Sequence, residues 1–456
     1  MKRSTPIPFL VLVLVTLFAL FLPPQKTPTP GDPINPGDVA WMLTASALVL
    51  LMTPGLSFFY GGMVGFKNVV STMLQSVVAL GVISIVWVLV GFSLAFGDSF
   101  GGFIGDPRTF LMFDGVGEAT SKALSPTIPL MLLALFQLKF AIITPALITG
   151  AFAERVRFSA YLLFIVLFSL FIYCPLAHMT WHPDGYLKKM GVLDFAGGTV
   201  VHMSAGWAAL AGAILLGRRR SHVAQEAHTP ANIPFVLLGT GMLWFGWFGF
   251  NAGSALAANG QATVAFGTTN TASAAAMLSW MFFDWMRGNK PSALGACIGA
   301  VVGLVAITPA AGYVTIRESI MIGVTASVVS NLAVHFRTKS TLDDTLDVFP
   351  CHGIGGMVGM VFTGIFADKG LAEAGIKSEL FWHHMLALLI VSAFSFFGAL
   401  ILFKLTDLII PLRVPAEEEV AGLDLSQHGE TALGSDILSG LGADTGRRDR
   451  VVVGSH

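Results

Sequence analysis

The sequence predicts an all-α polytopic membrane protein: 11 transmembrane helices in two inverted five-helix repeats plus one extra helix, N-terminus out and C-terminus in. Three observations carry this reading. Hydrophobic residues make up 54% of the 456 residues and charged residues 12%, against about 25% charged in an ordinary soluble domain. Apolar runs of about 20 residues recur along the chain, each long enough to cross a bilayer core. Two glycine-rich runs, each bearing one histidine, lie five spans apart, and that odd separation reverses the direction of insertion, as an inverted repeat requires. An ordinary soluble enzyme is excluded. The formal net charge of -1 offers no basic surface to nucleic acid. Cys174, Cys297 and Cys351 all sit in apolar runs, too few and too scattered for a disulfide framework or a cysteine-based zinc site.

Residues 1–25 place Lys2 and Arg3 before a short apolar core, the pattern of a signal peptide, with an uncleaved anchor as the alternative. Six prolines between Pro23 and Pro36 stop any helix there, so 26–37 is expected as a Pro-rich periplasmic segment. The spans are expected at 38–61, 69–97, 127–151, 156–180, 199–217, 232–256, 262–286, 291–309, 318–336, 349–367 and 380–410. They read as helices because backbone groups in lipid must be satisfied internally, whereas barrel strands would be shorter and alternate. Together they form a membrane domain over 38–410, with halves at about 38–217 and 232–367 and the last helix at 380–410. Lys67, Arg155, Arg157, Arg218 to Arg220, Arg287, Lys290, Arg337 and Lys339 fall in short connections on one side, which the positive-inside rule assigns to the cytoplasm. The other side carries Asp98, Asp106, Asp114 and Glu118. Residues 411–456 turn polar and glycine-rich, a soluble cytoplasmic tail for which a partner-binding role and a plainly solvated terminus both fit.

Ionisable groups are costly in a span, and those retained face a cavity or a partner. Asp194 leads through Phe-Ala-Gly-Gly-Thr-Val-Val to His202, and Asp347 through Val-Phe-Pro-Cys to His352, each histidine being followed by small residues (Ala205 and Gly206; Gly355 and Gly356) that let helices approach. A satisfied core histidine is the plain reading of either one alone; the matched pair points to a site. No third or fourth ligand converges on them, and Cys351 is expected on another helix face, so neither a metal nor a cofactor is expected. His383 and His384 are expected as interfacial residues without a role. Phe136 and Phe140 share one helix face, as do Phe250 and Ser254, and Trp247 lies close by. These rings read either as helix packing or as a pore wall. A ring face with a hydroxyl one turn away suits a small cation.

At these residues the chain resembles the ammonium transporter (Amt/MEP/Rh) family, of the prokaryotic Amt type. The segments that carry the resemblance are PGLSFFYGGMVGFKN (54–68), FAIITPALITGAFAERVRFSA (140–160), AHMTWHPDG (177–185), DFAGGTVVHMSAG (194–206), GWFGFNAGSA (246–255), SALGACIGAVVGLVAITPAAGYV (292–314) and DVFPCHGIGGMVG (347–359). The resemblance implies a homotrimer with one pore per subunit in the plasma (inner) membrane. It places external ammonium recruitment at Trp181, Phe136, Phe140 and Ser254, a gate at Phe140 and Phe250 with Trp247 lining it, and twin pore histidines at His202 and His352. Asp194 takes a structural and electrostatic role. The run from Gly422 to Glu430 matches the family's regulatory tail, for which a PII-type signalling protein is the implied partner. Lys139 departs from the pattern; on a helix it points about 100° away from Phe140, toward another helix or the trimer seam.

Stripping ammonium of water in a dry pore costs several kcal/mol, while removing its proton at pH 7, from an aqueous pKa of about 9, costs roughly 3 kcal/mol. The expected mechanism is therefore recruitment of the cation, deprotonation, and passage of neutral ammonia past the twin histidines, with or without separate proton transfer. Methylammonium is the expected analogue. The alternatives are an ammonium sensor signalling through the tail and an intramembrane acid-base enzyme.

Overall fold

The computed structural model describes residues 7–21, 33–367 and 379–432. Of the expected segments, parts of the leader and of the Pro-rich stretch, the connection at 368–378 and the tail from 433 onward lie outside the described residues. Within the leader, α1 (Ile7–Phe21) is a helix exposed along its length. Every predicted span then holds helix: α2 (Pro36–Met63), α3 (Phe66–Phe96), α4 (Leu130–Phe152), α5 (Phe158–Met190), α6 (Gly198–Leu216), α7 (Ile233–Gly253), α8 (Gly260–Met286), α9 (Ala293–Ile307), α10 (Ile316–Thr338), α11 (Phe349–Phe366) and α12 (Leu380–Ile409). Nine of these are long and apolar enough to cross a membrane, counted over the described residues. The exceptions are α8, with its run of threonines and small residues, and α9, which has 15 residues. Most boundaries shift by one to three residues; the largest difference is α5, expected to end at 180 and running on to Met190. α4 begins at Leu130, not 127, because Ser125–Pro129 pairs as an antiparallel strand with Thr120–Ser121.

Several helices start where the sequence provides a cap. The side chains of Asn35, Asn232, Asn259 and Ser292 accept backbone N–H groups at the starts of α2, α7, α8 and α9, and Thr315 with Glu318 forms a capping box on α10. Connections gather at two ends. At one, Ala258 N donates to Asp38 (2.8 Å), Asn35 N to Thr127 O (2.9 Å) and Phe195 N to Pro309 O (3.0 Å). At the other, the tail end, Arg219 pairs with Asp343 (2.9 Å) and Glu154 (2.7 Å), and buried Arg155 reaches Asp343 O (2.6 Å) and Thr345 Oγ1 (2.7 Å). Burial alone would raise the Asp343 carboxyl, but hydrogen bonds from Arg219 and the charge of Arg155 override it and hold it at about 2.

The described tail packs back on this end. Asp424 accepts from Val70 N (3.0 Å) and Ser71 N (2.8 Å), and Gln427 Oε1 accepts from Phe158 N (3.2 Å). Asn68, which closes the opening 3₁₀ turn of α3 (Phe66–Asn68) just before its α-helical part begins at Val69, and Arg157, which precedes α5, supply no side-chain cap. The tail therefore caps α3 and α5 from a distance, which a solvated terminus would not do.

Candidate functional site

The predicted aromatic and histidine residues form one buried column. Phe136 and Phe140, one turn apart on α4, have ring centroids 4.9 Å apart; Phe140 meets Trp181 of α5 edge-on at 5.8 Å. Phe140 stacks on Phe250 of α7 at 4.2 Å and 29°. Phe250 leads to His202 at 6.0 Å, and Trp247, one turn earlier on α7, stacks on the same imidazole at 5.4 Å and 16°. Phe136, Phe140, Phe250 and Trp247 are at most 2% exposed, while Trp181 is partly exposed at the end away from the tail. Two hydrogen bonds orient the indoles: Trp247 Nε1 donates to Thr308 Oγ1 (2.9 Å) and Trp181 Nε1 to Asp194 O (3.2 Å). Ser254 donates its hydroxyl to Phe250 O (2.8 Å), which leaves its lone pairs to accept from a cation.

The two histidines face each other through Nδ1, 3.3 Å apart, with rings inclined by 26°. One proton fits between two such atoms. In the neutral pair one ring donates through Nδ1 and keeps a bare Nε2, while the other accepts and carries its hydrogen on Nε2. The column thus offers one acceptor and one donor, and His202 Nε2 is buried without a protein partner. Beyond His352, toward the tail end, a small cavity of about 10 Å³ is bordered by Tyr60, Met63, Leu346, Cys351 and His352. Cys351 and His352 both border it, on the wide π-helical turn Phe349–Ile354.

Each histidine rides on such a turn, Gly198–Met203 and Phe349–Ile354, and each turn is capped by an aspartate eight residues before the histidine. Asp194 accepts from Gly197 N (2.8 Å), Gly198 N (2.6 Å), Thr199 N (2.8 Å) and Thr199 Oγ1 (2.5 Å). Asp344 accepts from Val348 N (3.0 Å) and Phe349 N (2.8 Å). The counterpart of Asp194 is therefore Asp344, not Asp347, whose carboxylate pairs with Arg337 (2.7 Å). The matched Asp-x7-His spacing was the signal for it. Gly206 lies against Gly353: a Cβ on Gly206 would stand 2.2 Å from Gly353 N, so the two histidine helices meet backbone to backbone.

Lys139 is partly exposed and shares the outer edge of α4 with exposed Leu135, while Phe136 and Phe140 are buried. His384 is not interfacial but fully buried, accepting from Leu193 N (3.1 Å) through Nε2 and bonding Met360 O (2.9 Å) through Nδ1. Among the described residues no cluster of three His, Cys, Asp or Glu side chains has metal-binding geometry.

A buried column of this kind among long apolar helices defines a multi-pass membrane protein. The chain belongs to the ammonium transporter family: the model of the Ammonium Transporter Family matches residues 40–433. It is 45% identical over 403 residues to an ammonium transporter of Bacillus subtilis (87% of this chain, 98% of that one), and 46% identical over 408 residues to one of Aquifex aeolicus (88% and 94%). Among solved structures it is similar to Saccharomyces cerevisiae Mep2, with a TM-score of 0.79 and 35% identity over 84% of this chain and 89% of that one. It is also similar to a protein described as a sensor Amt protein, with a TM-score of 0.78 and 30% identity over 86% and 98%. It is a multi-pass plasma-membrane protein of a family of transporters rather than enzymes.

Proposed function

We propose that the chain conducts ammonium nitrogen across the membrane as ammonia. Ammonium docks against Trp181, Phe136, Phe140 and the lone pairs of Ser254 and gives up its proton, which either returns to the outer water or crosses separately along the histidine pair, while ammonia passes between Phe140 and Phe250 and along His202 and His352. The observation that carries this reading is the column itself: the buried rings of Phe136, Phe140, Phe250 and Trp247, closed by an imidazole pair sharing one proton. Potassium and sodium have no proton to leave behind and find nothing there to replace their water. Ammonia can accept from one imidazole and donate to the other.

The eleven helices are read as spans in two inverted five-helix halves plus α12, following a cleaved leader, with the tail end cytoplasmic; the paired capped turns at His202 and His352 support that symmetry. A homotrimer and a PII-type partner at the tail complete the proposal. The second reading, a sensor with little transport, has the sensor Amt likeness in its favour; Lys139, turned away from the column, gives no reason for a blocked pore. Ammonium-induced current on a supported membrane and methylammonium uptake by proteoliposomes separate the two. Transport gives saturable uptake, and a current too if the proton crosses separately. Ammonium binding without uptake or current establishes the sensor.

A further inference from the structure

At the tail end a half-open cavity of about 1020 Å³ lies beside the column's exit, between residues 65–68, the 218–229 loop and the tail at Glu419 and Val420. Its link to the exit is direct, since His228, on its wall, bonds the carbonyl of Met63, which borders the small cavity below His352. Lys67, Arg218, Arg219 and Arg220 border it against Glu154, Glu226 and Glu419. Arg219 is already matched by Asp343 and Glu154, and Glu419 by Arg413 (2.7 Å). Among the described residues, Arg218 holds only His222, through Nδ1 (3.0 Å) and its carbonyl, Lys67 holds only the Val420 carbonyl (2.5 Å), and the Arg220 guanidinium is exposed and bonds nothing. Three cations then face one unmatched carboxylate, Glu226. An anion is in fact seated on this wall: Glu419 Oε1 accepts from Arg220 N at 2.6 Å. Phe66, 40% exposed, offers a ring on the same wall.

We infer that this cavity binds a nucleotide-sized organic phosphate, its phosphates on Arg218, Arg220 and Lys67 and its base on Phe66, in competition with the carboxylate of Glu419. Guanidinium forks favour phosphate over a single carboxylate, and the volume exceeds what inorganic phosphate fills. Because Glu419, Val420 and the Lys67 contact belong to the same stretch that carries the Asp424 cap, occupancy loosens the tail. The proposal adds a ligand to the tail end whose cytoplasmic placement is proposed above, but its test needs neither transport nor orientation.

The test is calorimetric titration of the detergent-purified full chain with ATP, pyrophosphate and adenosine. ATP and pyrophosphate are expected to bind saturably and adenosine not at all. Arg220→Gln should weaken ATP binding at least tenfold with its thermal melt unchanged, while Glu419→Gln and the charge-adding Glu226→Lys should tighten it. Repeating the titration in phosphatidylglycerol and phosphatidylcholine nanodiscs identifies the source of phosphate: suppression of ATP binding by phosphatidylglycerol alone keeps the anion seat and assigns it to a lipid headgroup. Absence of saturable binding by both ATP and pyrophosphate, or binding that neither Arg220→Gln nor Glu226→Lys alters, overturns the proposal.

Discussion

The Nδ1-to-Nδ1 contact of His202 and His352 makes a single proton the common property of two rings, and single residues around it divide into those that hold the pair and those that merely border it. Lys139 belongs to neither group, so Lys139→Gln is expected to leave methylammonium uptake within twofold of the parent; a loss above tenfold would place its charge in the path. Asp344 holds the second histidine turn, and Asp344→Ala is expected to abolish uptake and to lower the melting temperature, since two backbone donors lose a buried acceptor at about 1–3 kcal/mol apiece. Asp343 sets a pH dependence. Its carboxyl, held at about 2, lies below the usual 3.8, so its stabilisation is complete above about pH 4 and disappears as the pH falls toward 2, a contribution of about 2 kcal/mol. Thermal melts in detergent from pH 6 to 2 should show that loss, and Asp343→Asn should lack it while melting lower at neutral pH. Phe136, Phe140, Trp247, Phe250 and the two histidines stood out in the sequence by spacing and residue type, whereas Trp181 entered only through the family resemblance. The counterpart of Asp194 was misread, since Asp347 lies closer to His352 in sequence; the matched Asp-x7-His spacing pointed instead to Asp344, which accepts from Val348 N and Phe349 N.

Among the elements, the α-helical part of α3 from Val69 and α5 begin without caps of their own and borrow them from residues 424–427. Asp424→Ala should therefore free both the start of α3 and the tail, at about 1–2 kcal/mol for the lost cap. Limited proteolysis of the solubilised protein should cleave after about residue 411 faster in the variant than in the parent; equal rates would mean that the tail is held by other contacts. No sequence pattern forecast this, because the cap and the helix it serves are 353 residues apart. The helices with local Asn, Ser or Thr caps carry their start signals in the sequence. The short strand at 125–129 trimmed the predicted start of α4, because hydropathy does not separate an apolar strand from the first turn of a span.

For the whole molecule, the apolar surplus that announced a membrane protein does two tasks: most of it faces lipid or packs helices, and a small part lines the column. Which end faces the cytoplasm is a proposal that rests on the basic connections alone. Cysteine substitutions at exposed Glu118 and Ser340, on opposite ends, check it with a membrane-impermeant thiol reagent on intact cells. Glu118→Cys should label at once and Ser340→Cys only after permeabilisation, and the reverse pattern would invert the proposed topology. The central claim is that neutral ammonia, guided by the shared-proton pair, crosses a path too dry for ions. The direct measurement is proteoliposome uptake of methylammonium together with potassium permeability, for the parent and for His202→Ala combined with His352→Ala. The account predicts that the double variant loses most of its uptake, or admits potassium where the parent does not; unchanged uptake with unchanged selectivity would contradict it.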